Sequence, residues 1–137
     1  MNIYMASSYI MGEKITKSLR AKLSELDVKI FYPESIEISA HTLEEMQIVS
    51  DICAEKIRSS DILIAVYPFG ISVSIEIGRF LENNNSKKLI VFDSSENNSE
   101  QHKKLYTEAM LIPHIYKTVY SLDELIKELY KIFAISK

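Results

Sequence analysis

Residues 59–78, SSDILIAVYPFGISVSIEIG, decide the fold. Residues 62–66 are almost wholly aliphatic, which is typical of a strand covered on both faces in a parallel sheet. Pro68 ends this strand. A third helix of the chain then follows, because apolar residues recur at helical spacing, namely Val73, Ile77, Phe80 and Leu81. A buried strand that leads directly into an amphipathic helix predicts an α/β unit.

The same alternation extends to both ends of the chain. Before the quoted stretch, periodicity predicts strands at 2–6 and 28–31, helices at 14–26 and from Leu43 to about Arg58, and a loop over 33–40. After it, the pattern predicts a helix end at the polar run 83–86, strands at 89–92 and 116–120, and helices at 103–110 and from Leu122. Two Ser/Thr-x-x-Glu capping boxes, at Thr42–Glu45 and Ser121–Glu124, mark helix starts.

This order of elements predicts one α/β domain over residues 1–137, a doubly wound, flavodoxin-like or Rossmann-like sheet of five parallel strands. Right-handed crossovers favour the strand order 2-1-3-4-5. In that order a ligand crevice opens at the carboxyl ends of strands 1 and 3. The loops there are Ser7-Ser8-Tyr9 and residues 67–72.

Composition excludes several classes of function. The 137 residues carry 16 Lys and Arg against 19 Asp and Glu, a net charge of −3, so the chain lacks the basic surface that nucleic acid requires. Only three glycines are present, which excludes the glycine-rich dinucleotide and phosphate-loop motifs; no cofactor is expected. His41, His102 and His114 lack ligand spacing, and no metal site is predicted.

The cellular compartment is predicted from the cysteine count and from the apolar segments of the chain. A single cysteine, Cys53, cannot form an internal disulfide, which favours a reducing compartment. No stretch approaches the roughly 18 apolar residues of a membrane span, and the first residues run into a strand pattern without a signal segment. We therefore expect a cytoplasmic protein with no membrane partner.

Glu76 is the first candidate for chemistry. It falls in the early part of the third helix, facing the predicted crevice, where the helix dipole favours the ionised carboxylate. On a helical wheel it lies beside Val73 and Phe80, at the edge of the apolar face. The alternative is a surface pair with Arg79, which would contribute only tenths of a kcal/mol.

Four segments resemble the nucleoside 2-deoxyribosyltransferase family. They are YPFGISVSIEIG at 67–78, IYMASS at 3–8, SSDILIAV at 59–66 and SLDELI at 121–126. The segments are distributed over most of the chain, and their order and spacing match those of the family. The resemblance implies that Glu76 attacks C1′ of a nucleoside and that the Tyr4 hydroxyl orients it. A buried strand tyrosine with a bonded tip is the alternative for Tyr4. Gly78 is expected to allow close packing behind the helix.

The substrate is expected in the two crevice loops. Tyr9 and Tyr67, with Tyr4, either stack on a base or fill the edge of the core. The resemblance implies an arginine after the first strand in relatives that hydrolyse monophosphates; it is absent here, and Ser72, Ser74 and Lys14 are the poorer substitutes. The predicted substrate-binding residues are Ser7, Ser8, Tyr9, Tyr67, Gly70, Ser72 and Ser74.

The sequence departs from the family at two acidic positions. The general acid of the second helix, eight residues before Asp61, is replaced by Cys53, and Gly70 replaces an acid six residues before Glu76. The nearest acids are Asp51 and Glu55. Asp51 is the predicted catalytic substitute, although it lies two residues from Cys53, roughly 200° around the helix, and reaches the site only if this helix is longer or rotated.

Two functions follow from these residues. The first is cleavage or transfer of the N-glycosidic bond of a small-molecule nucleoside or nucleotide, as a transferase or a hydrolase. The alternative is a non-catalytic sensor that binds a nucleotide-like ligand in the same crevice. The resemblance also implies a site completed by a second copy, and Ile48, Ile52 and Ile75 lie outside the main apolar stripes. We therefore expect a homodimer or a dimer-built oligomer.

Overall fold

The structure is a computed structural model that describes residues 1–33, 36, 40–82 and 86–136, with the side chains of 9, 10, 135 and 136 left out. Much of the predicted loop over 33–40 and of the helix end at 83–86 therefore lies outside the described residues. The elements are β1 (Asn2–Ala6), α1 (Tyr9–Lys22), β2 (Lys29–Phe31), α2 (Leu43–Ser59), β3 (Ile62–Tyr67), α3 (Ile71–Glu82), β4 (Lys88–Asp93), α4 (Glu100–Leu105), a 3-10 turn (Ile112–His114), β5 (Ile115–Val119) and α5 (Leu122–Ser136).

All strand pairs are parallel, and the sheet order is β2-β1-β3-β4-β5. The predicted fold class and strand order are confirmed. The register pairs Tyr4 with Leu63 and Tyr67 with Asp93. Because the strands are parallel, the carboxyl ends of β1, β3 and β4 lie along one edge of the sheet.

The sheet separates two apolar cores. All six residues of β3 are buried, so both faces of this central strand are covered, as its aliphatic sequence predicts. On one face the strands pack against α1 and α5. On the other face, which we call the site face, Tyr4, Leu63 and Val91 pack with residues of α2, α3 and α4.

Two helices begin earlier than predicted. α1 starts at Tyr9 rather than near residue 14, with Ser8 extended at the N-cap position and the Gly12 N–H donating to the Ser8 carbonyl over 2.9 Å. α4 starts at Glu100 because the Ser99 hydroxyl accepts from the His102 N–H over 3.1 Å, and it ends at Leu105. The predicted helix over 103–110 is wrong, since apolar periodicity does not reveal a short polar helix started by its cap.

The first capping box is confirmed on both of its hydrogen bonds, between Thr42 and Glu45. The second is half formed: the Ser121 hydroxyl accepts from the Glu124 N–H, whereas the Glu124 carboxylate accepts from the Tyr120 N–H. Within the described part of the chain, no helix has the length and apolar character needed to cross a membrane.

Candidate active site

Tyr4 and Glu76 meet on the site face of the sheet. Tyr4 lies in the middle of β1, and α3 packs over the same face through Val73, Ile77 and Phe80. Glu76 precedes Ile77 and is half-buried, in keeping with its place at the edge of the apolar stripe. The Tyr4 hydroxyl donates to Oε2 of Glu76 across 72 residues of sequence. Two of the predicted catalytic residues are thus brought into direct contact.

Tyr4 is held rigidly beneath this carboxylate. Its side chain has no exposed surface, and its ring packs on that of Phe31 with centroids 5.4 Å apart. Burial, followed by the negative charge of Glu76, raises the pKa of Tyr4 well above its ordinary value of 10.0. The phenol therefore stays protonated over the physiological range and remains a hydrogen-bond donor to Glu76.

Cys53 is the residue of α2 that reaches this pair. It is half-buried, packs against the core of the site face, and its thiol lies within hydrogen-bonding reach of the Tyr4 hydroxyl. Asp51 is exposed, and its carboxylate accepts from Nε2 of Gln47 over 2.8 Å. The contacts described for α2 therefore bring Cys53, and not Asp51, to the Tyr4 hydroxyl.

The loop after β1 is shaped by Gly12. Ser7 is buried and its hydroxyl donates to the Ser8 carbonyl over 2.8 Å, while Ser8 is exposed. Tyr9 begins α1, and its side chain lies outside the described part. A Cβ on Gly12 would stand 2.5 Å from Cε2 of Tyr32 and 2.9 Å from the Ser7 hydroxyl. Glycine at this position is therefore what allows Ser7 and Tyr32 to pack against α1.

The polar groups in and after the loop that follows β3 bond to separate parts of the chain. The Tyr67 hydroxyl donates to the Gln101 carbonyl, and its ring packs edge-on to that of Phe69 with centroids 4.9 Å apart. Burial and the charge of Asp93 raise the pKa of Tyr67. The Ser74 hydroxyl donates to the Gly70 carbonyl over 3.0 Å. Gly70 and Ser72 are exposed.

A cavity of about 590 Å³ lies between α3 and the α4 segment. Of the predicted site residues it contains Tyr67 and Ser74, while Tyr4 and Glu76 are not among its described lining residues. Gly78 also lines it, and a Cβ added there would meet nothing within 4 Å. The expectation that Gly78 permits close packing behind the helix is therefore wrong, since this glycine borders open space.

A polar cluster at the end of β4 was missed by the sequence reasoning. The Asp93 side chain is fully buried, with Oδ2 3.0 Å from Nδ1 of His102 and Oδ1 accepting from the Ser95 N–H over 2.9 Å. Its sequence signal is a single aspartate that closes β4 after the apolar residues 89–92.

No family model and no curated protein sequence matches the chain at a significant level. Solved structures do match. The chain is 16% identical to a 2-deoxyribosyltransferase from Bacillus psychrosaccharolyticus, with a TM-score of 0.69 over 92% of this chain and 90% of that one. It is 17% identical to the CMP N-glycosidase of Clostridium botulinum, with a TM-score of 0.58 over 94% and 98%. A conserved protein from Enterococcus faecalis V583 gives 19% identity and a TM-score of 0.66 over 96% and 98%. The resemblance stated from the sequence is thus confirmed at the level of architecture: this chain has the fold of a nucleoside 2-deoxyribosyltransferase.

Proposed function

We propose that the chain cleaves or transfers the N-glycosidic bond of a nucleoside or nucleotide, with Glu76 as the nucleophile. The observation that carries this proposal is the hydrogen bond from the fully buried Tyr4 hydroxyl to Oε2 of Glu76. A carboxylate held in one orientation on a half-buried helix edge is suited to attack an electrophilic carbon. The fold shared with a 2-deoxyribosyltransferase and a CMP N-glycosidase supports the choice of bond.

The proposed reaction has two displacements at C1′ of the sugar. A Glu76 oxygen forms an ester bond to C1′ as the C1′–N bond breaks, and the bonding electron pair leaves with the base nitrogen, which takes up a proton. Water or a second base then attacks C1′ as the ester C–O bond breaks and releases the Glu76 carboxylate, and the proton lost by the attacking group returns to the residue that protonated the first base or to solvent. Tyr4 is a positioning residue in both steps, because its hydroxyl fixes the rotation of the carboxylate.

The proton for the leaving base is assigned to α2. Asp51 is the acid proposed from the sequence, and Cys53 is the α2 side chain in contact with Tyr4. The substrate is proposed to lie against the two loops at the carboxyl edge, where the sequence places Ser7, Ser8, Tyr9, Tyr67, Gly70, Ser72 and Ser74. The proposed setting is the cytoplasm, the compartment that the cysteine count predicts.

The second candidate function is a sensor that binds a nucleotide-like ligand without turnover. The observation that favours it is the identity of the α2 residue beside Tyr4, a thiol where catalysis would use a carboxylic acid. An S–H group is a weaker hydrogen-bond donor than a carboxyl O–H, so it engages a leaving base less well.

One experiment separates the two functions. The full chain is incubated with deoxynucleosides, ribonucleosides and their monophosphates, with and without a free acceptor base, and the products are separated by chromatography. Base release without an acceptor identifies a hydrolase, and exchange identifies a transferase. If no substrate reacts while one raises the melting temperature, the sensor function replaces the enzyme.

The matched variants are Glu76→Gln and Glu76→Ala. We expect both to abolish turnover while the circular dichroism spectrum is unchanged, because Glu76 lies at a helix edge rather than in the core. Glu76→Gln keeps the volume and an oxygen for Tyr4 but removes the nucleophilic charge. Glu55→Gln, an exposed change in an α2 pair with Arg58, is the control and should keep full activity. Turnover that persists in Glu76→Gln contradicts the mechanism.

We also propose that the chain works as a homodimer or a dimer-built oligomer, with the two-fold axis near the loop after β3. Ile48 and Ile75 are about half exposed on α2 and α3, whereas Ile52 is half-buried. Leu43 and Ile71, at the first residues of the same two helices, are 85% and 83% exposed. Exposed aliphatic residues on two adjacent helices support an interface on this surface.

A further inference from the structure

The polar cluster at the carboxyl end of β4 is built around a buried carboxylate. We call it the Asp93 cluster, and its members are Asp93, Ser95, His102, Tyr106 and Tyr120. Oδ1 of Asp93 accepts from the N–H and the hydroxyl of Ser95, and Oδ2 lies 3.0 Å from Nδ1 of His102 and 3.4 Å from the Tyr106 hydroxyl. These contacts satisfy a carboxylate that has no exposed surface.

The pairing with Asp93 fixes the chemistry of the histidine ring. A carboxylate at Nδ1 favours a proton on that nitrogen, and in the neutral ring with that tautomer Nε2 is the hydrogen-bond acceptor. No hydrogen bond among the described residues involves Nε2 of His102. The ring is 20% exposed and packs on that of Tyr106 with centroids 4.8 Å apart, which keeps it in place.

His102 opens on a cavity with a polar lining. This cavity has a volume of about 420 Å³, within the range of small-molecule sites, and is distinct from the one between α3 and α4. Its described lining residues are Asp93, Ser95, Asn97, His102 and Tyr120. No Lys or Arg is among them, and the Asp93 carboxylate lies directly behind the ring of His102, so the site disfavours anions such as phosphate.

The shape of a ligand is indicated by Tyr120. This side chain is 53% exposed, and its hydroxyl is bonded to that of Tyr106, so the ring is anchored at its tip while part of its surface stays accessible. An anchored aromatic face favours a flat partner. Asn97 adds an amide that both donates and accepts hydrogen bonds.

From this arrangement we propose that the Asp93 cluster binds a neutral, planar heterocycle with a ring N–H, which donates to Nε2 of His102 while the ring plane packs on Tyr120. Asp93 acts as a positioning residue through His102. The inference does not depend on the reaction proposed for Glu76. A free base released by that reaction would belong to this ligand class.

The test is a titration of the full chain, labelled with ¹⁵N at histidine, with hypoxanthine and with cytosine. Long-range ¹H–¹⁵N spectra report the tautomer of each ring, and the three histidines are assigned from single variants. We expect the His102 signals to show the proton on Nδ1 and to shift saturably, while those of His41 and His114 stay unchanged. His114 lines the other cavity and therefore reports binding there. Ribose, which is not planar, should shift nothing.

Two substitutions at one position separate ligand binding from a structural role. His102→Gln places an amide near the position of Nε2, whereas His102→Asn keeps an amide near Nδ1 that can donate to Asp93. We expect His102→Asn to weaken binding at least tenfold with little change in melting temperature, and His102→Gln to bind more tightly than His102→Asn. A purely structural histidine would give no binding in the wild-type chain.

Three results would overturn the proposal: no shift with either base, equal shifts with ribose, or unchanged binding in His102→Asn. Glu76→Ala keeps this inference separate from the proposed reaction. It should retain binding of hypoxanthine at His102 even though turnover is lost. Loss of the His102 shifts in Glu76→Ala would place the base at the Tyr4 site instead and reject the Asp93 cluster.

Discussion

The proposed role of the Tyr4 hydroxyl in orienting Glu76 can be tested with Tyr4→Phe, which removes only the hydroxyl group. In Tyr4→Phe the ring still packs on Phe31, but Glu76 loses its donor. We expect turnover to fall on the order of 100-fold, as for other preorganised donors. Stability should fall by about 1.5–3 kcal/mol, the usual contribution of a hydrogen bond to a charged group. Steady-state kinetics and urea unfolding measure both effects.

The control for this change is Tyr130→Phe. Its hydroxyl is also hydrogen-bonded, to the Lys22 carbonyl over 3.2 Å, but it lies on the exposed side of α5. Turnover in Tyr130→Phe should equal that of the wild type. If Tyr4→Phe keeps full turnover, Tyr4 is a structural core residue and not a positioning residue.

The source of the leaving-group proton is tested by Asp51→Asn and Cys53→Ala. If Asp51 is the acid, Asp51→Asn lowers turnover most for substrates whose leaving base needs protonation, and activated leaving groups restore the rate. If Cys53 serves instead, Cys53→Ala gives that pattern and Asp51→Asn does not. Because Asp51 is exposed and accepts from Gln47 rather than reaching Tyr4, we expect Asp51→Asn to keep the wild-type rate. A lower rate in Asp51→Asn that activated leaving groups restore would contradict this expectation and support the acid proposed from the sequence.

The sequence pattern placed Glu76 at the edge of the apolar stripe of α3, and the family resemblance singled out Tyr4 in the strand that opens the chain. The structure brings these two side chains into contact, while their catalytic roles stay predictions. The family resemblance placed Cys53 at the general-acid position, and the structure puts this residue beside the Tyr4 hydroxyl. Periodicity alone could not show that contact, because it depends on the rotation of α2 about its axis. Asp93 and His102 were missed for a similar reason: nine residues with a turn and a new helix separate them, and no short motif connects them.

At the scale of elements, two helical glycines offer a matched pair of substitutions. Gly12→Ala brings a Cβ within 2.5 Å of the Tyr32 ring and should destabilise the chain by about 1–3 kcal/mol through overpacking. Gly78→Ala meets nothing and should stabilise α3 by about 0.5–1 kcal/mol through helix propensity. Urea unfolding of both variants measures the difference. Equal stabilities would show that Tyr32 moves aside without cost.

The elements themselves were predictable to different degrees. β3 and α3 carry strong periodic signals and were predicted nearly to their ends, and the Thr42 box fixed the start of α2. α1 and α4 were placed too late because each begins with a turn whose residues show no apolar period. Caps and backbone hydrogen bonds, which a periodicity count does not register, determine those starts.

At the scale of the whole molecule, the proposed interface predicts the particle mass. Light scattering of the wild type at micromolar concentration should give at least twice the chain mass of 15.7 kDa. Ile75→Glu places a charge on the proposed surface and should shift the particle toward a single chain with loss of turnover. Tyr116→Glu, at an exposed residue of β5, is the control. A wild-type mass of 15.7 kDa would reject the dimer and the shared site.

The long separation between Tyr4 and Glu76 also bears on how the chain refolds. Their hydrogen bond joins residues 72 positions apart and requires β1 to be paired with β3 and α3 to be seated over both. Contacts of such sequence separation form only after a large loss of chain entropy, so they belong to the slow, cooperative part of folding. After dilution from denaturant, turnover should therefore recover no earlier than the native circular dichroism signal. The recovery of turnover would then report when the sheet is fully formed.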